Sequence, residues 1–170
     1  MSIDRRTFLK GACLAGGALI ASPAVSLGVA DIEGQKSSYV RLAETGELED
    51  RVERAYKKLE SCDLCPRKCG VNRRKGQKGF CRAPEEVKVY THQPHFGEEK
   101  PLVGHNGSGT IFFSNCNLRC VFCQNYPIAH EGRGNRESDE ILANRMLDLQ
   151  ERGCHNINLV TPTHVMPHIL

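Results

Sequence analysis

Apolar residues recur along this 170-residue chain with two different periods. In "ELEDRVERAYKKLESC", Leu48, Val52, Tyr56 and Leu59 fall on one helical face, with acids early and lysines late. The spacing predicts an amphipathic helix of about four turns, after a polar linker over 31–38. "VKVYT" (87–91) alternates instead and predicts a strand, and "TIFFS" (110–114) predicts a second, short one. Residues 92–109 between them read as loop, punctuated by Pro94, Pro101, Gly104, Gly107 and Gly109. The helical period returns in "SDEILANRMLDLQERG". Ser138 is its expected N-cap, Ile141, Leu142, Met146 and Leu149 its buried stripe, and Gly153 its stop. "NINLVT" (156–161) is a third strand, ended by Pro162.

Strand, loop, helix and strand make a βαβ unit, so the fold class expected is α/β with a parallel sheet. Such a sheet is covered on both faces, and one unit cannot do that. The chain reaches Leu170 a few residues after its last strand. The expectation is therefore a partial α/β barrel, a fragment or truncated product of a longer one. Three segments are expected: 1–30, a linker, helix and cysteine-rich stretch over 31–86, and the start of a barrel over 87–170.

Charge adds little. Residues 1–30 hold Arg5, Arg6 and Lys10 against Asp4, leaving 20 basic and 19 acidic side chains elsewhere. No field for nucleic acid emerges from these totals. A local basic run, "RKCGVNRRKGQKGFCR" (67–82), reads as a solvated loop flanking a metal or as a polyanion patch.

The first thirty residues read as an address. "DRRTFLK" followed by an apolar, small-residue stretch matches a twin-arginine export signal, with cleavage expected near Ala30. The alternatives are an uncleaved tether or a cytoplasmic protein. Gly16, Gly17 and Pro23 make the stretch a poor membrane span, so no stable span is expected. Export of an already folded, cofactor-loaded chain removes the usual inference from many cysteines to disulfides.

The chemistry lies in "TIFFSNCNLRCVFCQN" (110–125). Here Cys116, Cys120 and Cys123 follow a strand directly, with no fourth cysteine nearby. Strand carboxyl ends are where α/β proteins place ligands. Three thiolates from one tight loop can hold three irons of a cubane and leave the fourth open. The competing readings are a Cys3His zinc site completed by His130, and a four-cysteine electron-transfer cluster borrowing Cys154. Cys154, just after Gly153, also reads as a small buried hydrophobe.

"CNLRCVFC" has the spacing Cys-x3-Cys-x-aromatic-Cys and resembles the signature of the radical S-adenosylmethionine superfamily. Together with "CPRKCGVNR", "GFC", "GSGTIFFSNCNLRCVFCQN" and "HNINLVTPTHV", it is similar to the pyruvate-formate-lyase-activating branch, in members with an N-terminal cysteine-rich segment. The resemblance covers about residues 55–170. It implies a radical S-adenosylmethionine α/β barrel and a 4Fe-4S cluster on Cys116, Cys120 and Cys123. It also implies S-adenosylmethionine on the open iron, with Phe122 against its adenine. The implied reaction is reductive cleavage to a 5′-deoxyadenosyl radical that abstracts hydrogen, with glycyl-radical enzyme activation as the family's example. The implied partners are a reductant such as a flavodoxin or ferredoxin, and a protein substrate. The chain departs from the pattern after its last strand. "VTPTH" (160–164) stands where many relatives have Gly-Gly-Glu, with Thr161 or Thr163 as substitute polar contacts.

Upstream, Cys62, Cys65, Cys69 and Cys81 form a Cys-x2-Cys-x3-Cys-x11-Cys set. It suits a structural zinc, an auxiliary iron–sulfur cluster or two disulfides, or leaves free thiols. Arg67 and Lys68 beside the thiols are expected to favour thiolates. His92, His95, His105, His155, His164 and His168 read as solvated or hydrogen-bonded core histidines. The class competing with an enzyme is a non-enzymatic iron–sulfur or zinc module, electron-transferring or structural.

Overall fold

Strands β1 (Val87–His95), β2 (Ser108–Phe113), β3 (Asn135–Glu137) and β4 (Ile157–Val160) form one sheet in the order β3-β1-β2-β4. The computed structural model describes residues 36–170, so the expected export signal, Arg5 and Arg6 included, lies outside the described residues. β2 and β4 run parallel, with Gly109 opposite Ile157 and Phe112 opposite Val160. β1 is antiparallel to both β2 and β3. The protein is mixed α/β, built on a four-stranded mixed sheet.

The helices in chain order are α1 (Ser38–Thr45), α2 (Glu47–Lys57), α3 (Lys100–Val103), α4 (Tyr126–Ala129) and α5 (Asp139–Glu151). Short 3-10 turns span Arg73–Lys75 and Thr163–His168. Among the described residues no helix is long and apolar enough to cross a membrane.

The parallel βαβ unit expected over residues 110–161 is present: β2, then α5, then β4. Ser138 caps α5 by accepting from the Ile141 amide at 3.4 Å, and Gly153 takes a φ of +84° just past its end. Leu142 and Leu149 are fully buried, one turn either side of Met146, against Val87, Val89, Ile111, Phe113, Cys154 and Val165. Ile141 corrects the expected stripe, being 46% exposed. It sits one residue, about 100° of helix, off the line through 142, 146 and 149.

Other expectations needed correction. The helix foreseen over 47–62 ends at Lys57, and Leu59 is buried beyond it in a turn. α1 was not foreseen at all. β1 runs on through Pro94 to His95, in a segment read as loop, with Pro94 opposite Gly109. Beyond Val89 it pairs only with β2, so a proline there costs no ladder bond on the far side. β3 was invisible because its three residues, Asn-Arg-Glu, carry no alternation.

Candidate functional site

The carboxyl end of β2 leads directly into the three cysteines. Phe113 ends the strand, Ser114 and Asn115 follow, and Cys116 comes next, only 5% exposed. The loop is fastened from below. The Asn115 amide donates to the Ile128 carbonyl at 2.9 Å, and the Ser114 hydroxyl donates to the Arg133 carbonyl. His164 Nε2–H donates to the Ser114 carbonyl at 2.9 Å. Burial holds the His164 pKa down at about 4, so the ring is a neutral brace at ordinary pH.

Within the loop, the Leu118 amide points at Cys116 Sγ (3.4 Å), and the Cys123 amide donates to the Cys120 carbonyl (3.2 Å). His130 meets the loop at its backbone. Its Nε2 lies 3.0 Å from the Cys120 carbonyl, and its ring stacks on Tyr126 at 4.2 Å. Cys154 sits at the other end of the sheet: a Cβ on Gly109, the second residue of β2, would stand 3.2 Å from Cys154 Cβ. The six residues of β2 separate it from the cysteine loop by roughly 20 Å. Phe122, expected to meet a cofactor, is 86% exposed at the loop tip beside Val121.

The upstream cysteines fold back on one another. The Cys62 amide donates to Val71 and the Gly70 amide to Cys62, closing a short paired turn. Opposite, the Phe80 amide points at Cys69 Sγ (3.4 Å) and the Ala83 amide at Cys81 Sγ (3.5 Å). Cys62 and Cys81 are buried, Cys69 is exposed, and the cysteines among the described residues are free thiols, not disulfides. Burial pushes the Cys81 thiol pKa up against the lowering by the Ala83 amide and Arg73, so the net direction there is opposite to the lowering expected from Arg67 and Lys68. The Arg67 guanidinium covers the Phe80 ring at 3.7 Å, and its Nε–H reaches the Asn117 carbonyl at 3.4 Å. That contact ties the upstream segment to the three-cysteine loop.

Among the described residues no three His, Cys, Asp or Glu side chains converge closely enough to hold a metal ion. The fit of a cluster is therefore judged on donor chemistry and backbone. Soft thiols grouped on two short segments suit thiolate ligation. The backbone adds a signal that no residue pattern announced. Left-handed φ occurs at Lys68, Arg82, Asn115, Arg119 and Thr161 among non-glycine residues. Four of these five adjoin a cysteine of one of the two sets, namely Cys69, Cys81, Cys116 and Cys120. Strained conformations of this kind cluster at functional sites. The fifth, Thr161, ends β4 on the same side as Cys116, with its hydroxyl on the Val160 carbonyl at 2.7 Å. Reasoning from sequence missed the buried Arg73, whereas His164, in "VTPTH", is the hydrogen-bonded core histidine that the sequence reading allowed. Arg73 donates to the Pro84 carbonyl at 2.9 Å and to the His164 carbonyl at 2.7 Å.

The chain is 44% identical over 82 residues to an uncharacterized protein of Methanocaldococcus jannaschii, MJ0674, covering 48% of this chain and 23% of that protein. A second uncharacterized protein of that organism, MJ0808, is 29% identical over a 91-residue alignment covering 44% of this chain and 27% of its own length. The chain thus spans about a quarter of the length of the curated relatives it matches. No family model and no solved structure matches it.

Proposed function

We propose that this chain is a radical S-adenosylmethionine iron–sulfur protein whose sheet forms part of an α/β barrel. Cys116, Cys120 and Cys123 would each ligate one iron of a 4Fe-4S cluster. Such a cluster supplies an electron to S-adenosylmethionine bound at its open iron, which drives hydrogen abstraction from a substrate. The observation that carries the reading is the loop itself. Three cysteines at Cys-x3-Cys-x-Phe-Cys leave the carboxyl end of a strand paired in parallel, and Cys154 lies at the strand's opposite end.

The chain's own residues have plain tasks in this account. Asn115 and Arg119 hold the backbone of the loop in left-handed turns, and His164 holds its stem through Ser114. Phe122 and Val121 offer an apolar surface to the adenine. Cys62, Cys65, Cys69 and Cys81 would take a second metal, zinc or an auxiliary cluster. The reductant would be a small electron carrier such as a flavodoxin or ferredoxin. Activation of a protein partner by glycyl-radical formation, and twin-arginine export to the periplasm, belong to the same proposal.

Anaerobic reconstitution of the single Ala variants tests the ligand assignment. Cys116→Ala, Cys120→Ala and Cys123→Ala should each lose the cubane absorbance and its paramagnetic signal, and Cys154→Ala should keep both. Loss in Cys154→Ala to the same degree would show a four-cysteine cluster instead.

A further inference from the structure

Beside the three-cysteine loop lies a cavity of about 260 Å³ whose wall is built from both cysteine-bearing segments. Lys78 and Arg82 reach it from the upstream segment, Lys88 and Arg136 from β1 and β3, and Asn115 and His130 from the loop's stem and far side. Four cations thus face one acid, Glu131. That acid is already paired with Arg133 at 2.8 Å, and Arg136 is paired with Glu86 at 3.2 Å. Lys78 and Arg82 have no carboxylate partner among the described residues. Lys88 donates to the Gly132 carbonyl and makes no ion pair among the described residues. Its pKa is held below the ordinary lysine value by burial first, then by the charges of Arg136 and Lys78. A bound anion relieves that repulsion.

Charge alone would describe a solvated surface. Asn115 makes it a site. This residue is only 6% exposed and lines the cavity, and its side-chain amide has no hydrogen-bond partner among the described residues. The amide opens onto the cavity, where a ligand's oxygen could accept from its Nδ2. Gly132 keeps the approach open, since a Cβ there would stand 2.9 Å from Asn115 Nδ2 at a φ of +69°. The residue that bears this amide immediately precedes Cys116, and His130 on the same wall meets the Cys120 carbonyl.

We infer that this cavity binds the phosphoryl group of a small-molecule ligand, with Asn115 Nδ2, Lys88, Lys78 and Arg82 as its donors. Three cations without carboxylate partners match a dianion better than a single carboxylate. The cavity's size, just under the usual range of about 300–1,000 Å³, suits a phosphoryl group with a small body and not a polymer strand. That the ligand is the substrate of the adjoining loop rests on the reading proposed above. Binding itself does not, because none of these four donors is a cysteine.

The test is calorimetric titration of the full chain with inorganic phosphate, both as purified and after cluster reconstitution. A chain that takes up no cluster then still reports on the cavity. One saturable site is expected in both states. Lys78→Gln/Arg82→Gln should weaken it by about tenfold or more, and Asn115→Asp, which keeps a residue tolerant of left-handed φ, should abolish it. Lys68→Gln/Lys75→Gln, in the same basic run but outside the cavity, should change it by less than about twofold. Circular dichroism checks that each variant is folded. Absence of saturable binding, equal weakening by the two double variants, or acetate binding as tightly as phosphate would overturn the inference. So would an oligonucleotide that binds far more tightly than phosphate and depends on both pairs of cations.

Discussion

The two cysteine-bearing segments carry the same side-chain chemistry and bury it in opposite ways. In the upstream segment the first and last thiols, Cys62 and Cys81, are covered by the protein itself. Arg73, 2% exposed, pins the segment to Pro84 and to the His164 carbonyl. In the downstream loop only Cys116 is covered. Cys120 is exposed, and Leu118, Val121 and Phe122 stand out in solvent at 62%, 93% and 86%. An apolar loop tip left in water fits a surface that receives something, whereas a capped and pinned segment fits a surface that holds. The difference comes from neighbours, not from cysteine spacing.

Breaking the upstream pin should have the largest effect. Arg73→Ala removes charged donors from one buried and one half-buried carbonyl and should cost about 3 kcal/mol in urea unfolding. The corresponding arginine of the loop, Arg119, has a buried Nη1 with no partner. Arg119→Ala should therefore cost less than about 1 kcal/mol. Equal losses would erase the distinction between the two segments.

The stem shared by the two segments has its own pH signature. His164 has a folded pKa of about 4 against an ordinary 6.5, so below 6.5 the unfolded chain takes up a proton that the folded one refuses. The stability it contributes is full above that value and is lost as pH falls towards 4. Between pH 7 and pH 5 the loss should be about 2 kcal/mol, visible as a lower urea midpoint. His164→Gln should flatten this dependence. An unchanged slope in that variant would mean the ring is not the titrating group.

The smallest effect on stability is expected at the loop tip. Phe122→Ala should change the unfolding free energy by less than about 0.5 kcal/mol, because its ring is already in water. Its loss should instead appear in S-adenosylmethionine affinity, measured by titration of the reconstituted protein, at about 1 kcal/mol. A stability loss without an affinity loss would turn the assignment of the tip around.

Much of this layout was legible in the sequence. The alternation in "TIFFS" and "NINLVT" and the stripe through Leu142, Met146 and Leu149 suffice for a parallel pair joined by α5, and the cysteine loop falls at the correct strand end. The rest was hidden for physical reasons. The long β1 was obscured by Pro94, which is harmless only because that stretch pairs on one side. Arg73 looked like one more charge in a basic run, because burial by residues some ninety positions away leaves no local mark. His164 was readable as a hydrogen-bonded core histidine, but its partner was not, since its bond to Ser114 spans fifty residues. The cavity at Asn115 was unreadable too, since its cations come from three separate segments that only the antiparallel addition of β1 and β3 brings together.

The central claim is that Cys116, Cys120 and Cys123 hold a cluster with one iron left open. Electron paramagnetic resonance of the anaerobically reconstituted, dithionite-reduced chain, before and after addition of S-adenosylmethionine, tests it most directly. The account predicts a cubane signal that shifts when S-adenosylmethionine is added. It also predicts that the signal vanishes in the Cys116/Cys120/Cys123 triple Ala variant. A cubane signal indifferent to S-adenosylmethionine, or one that survives in the triple variant, would contradict it.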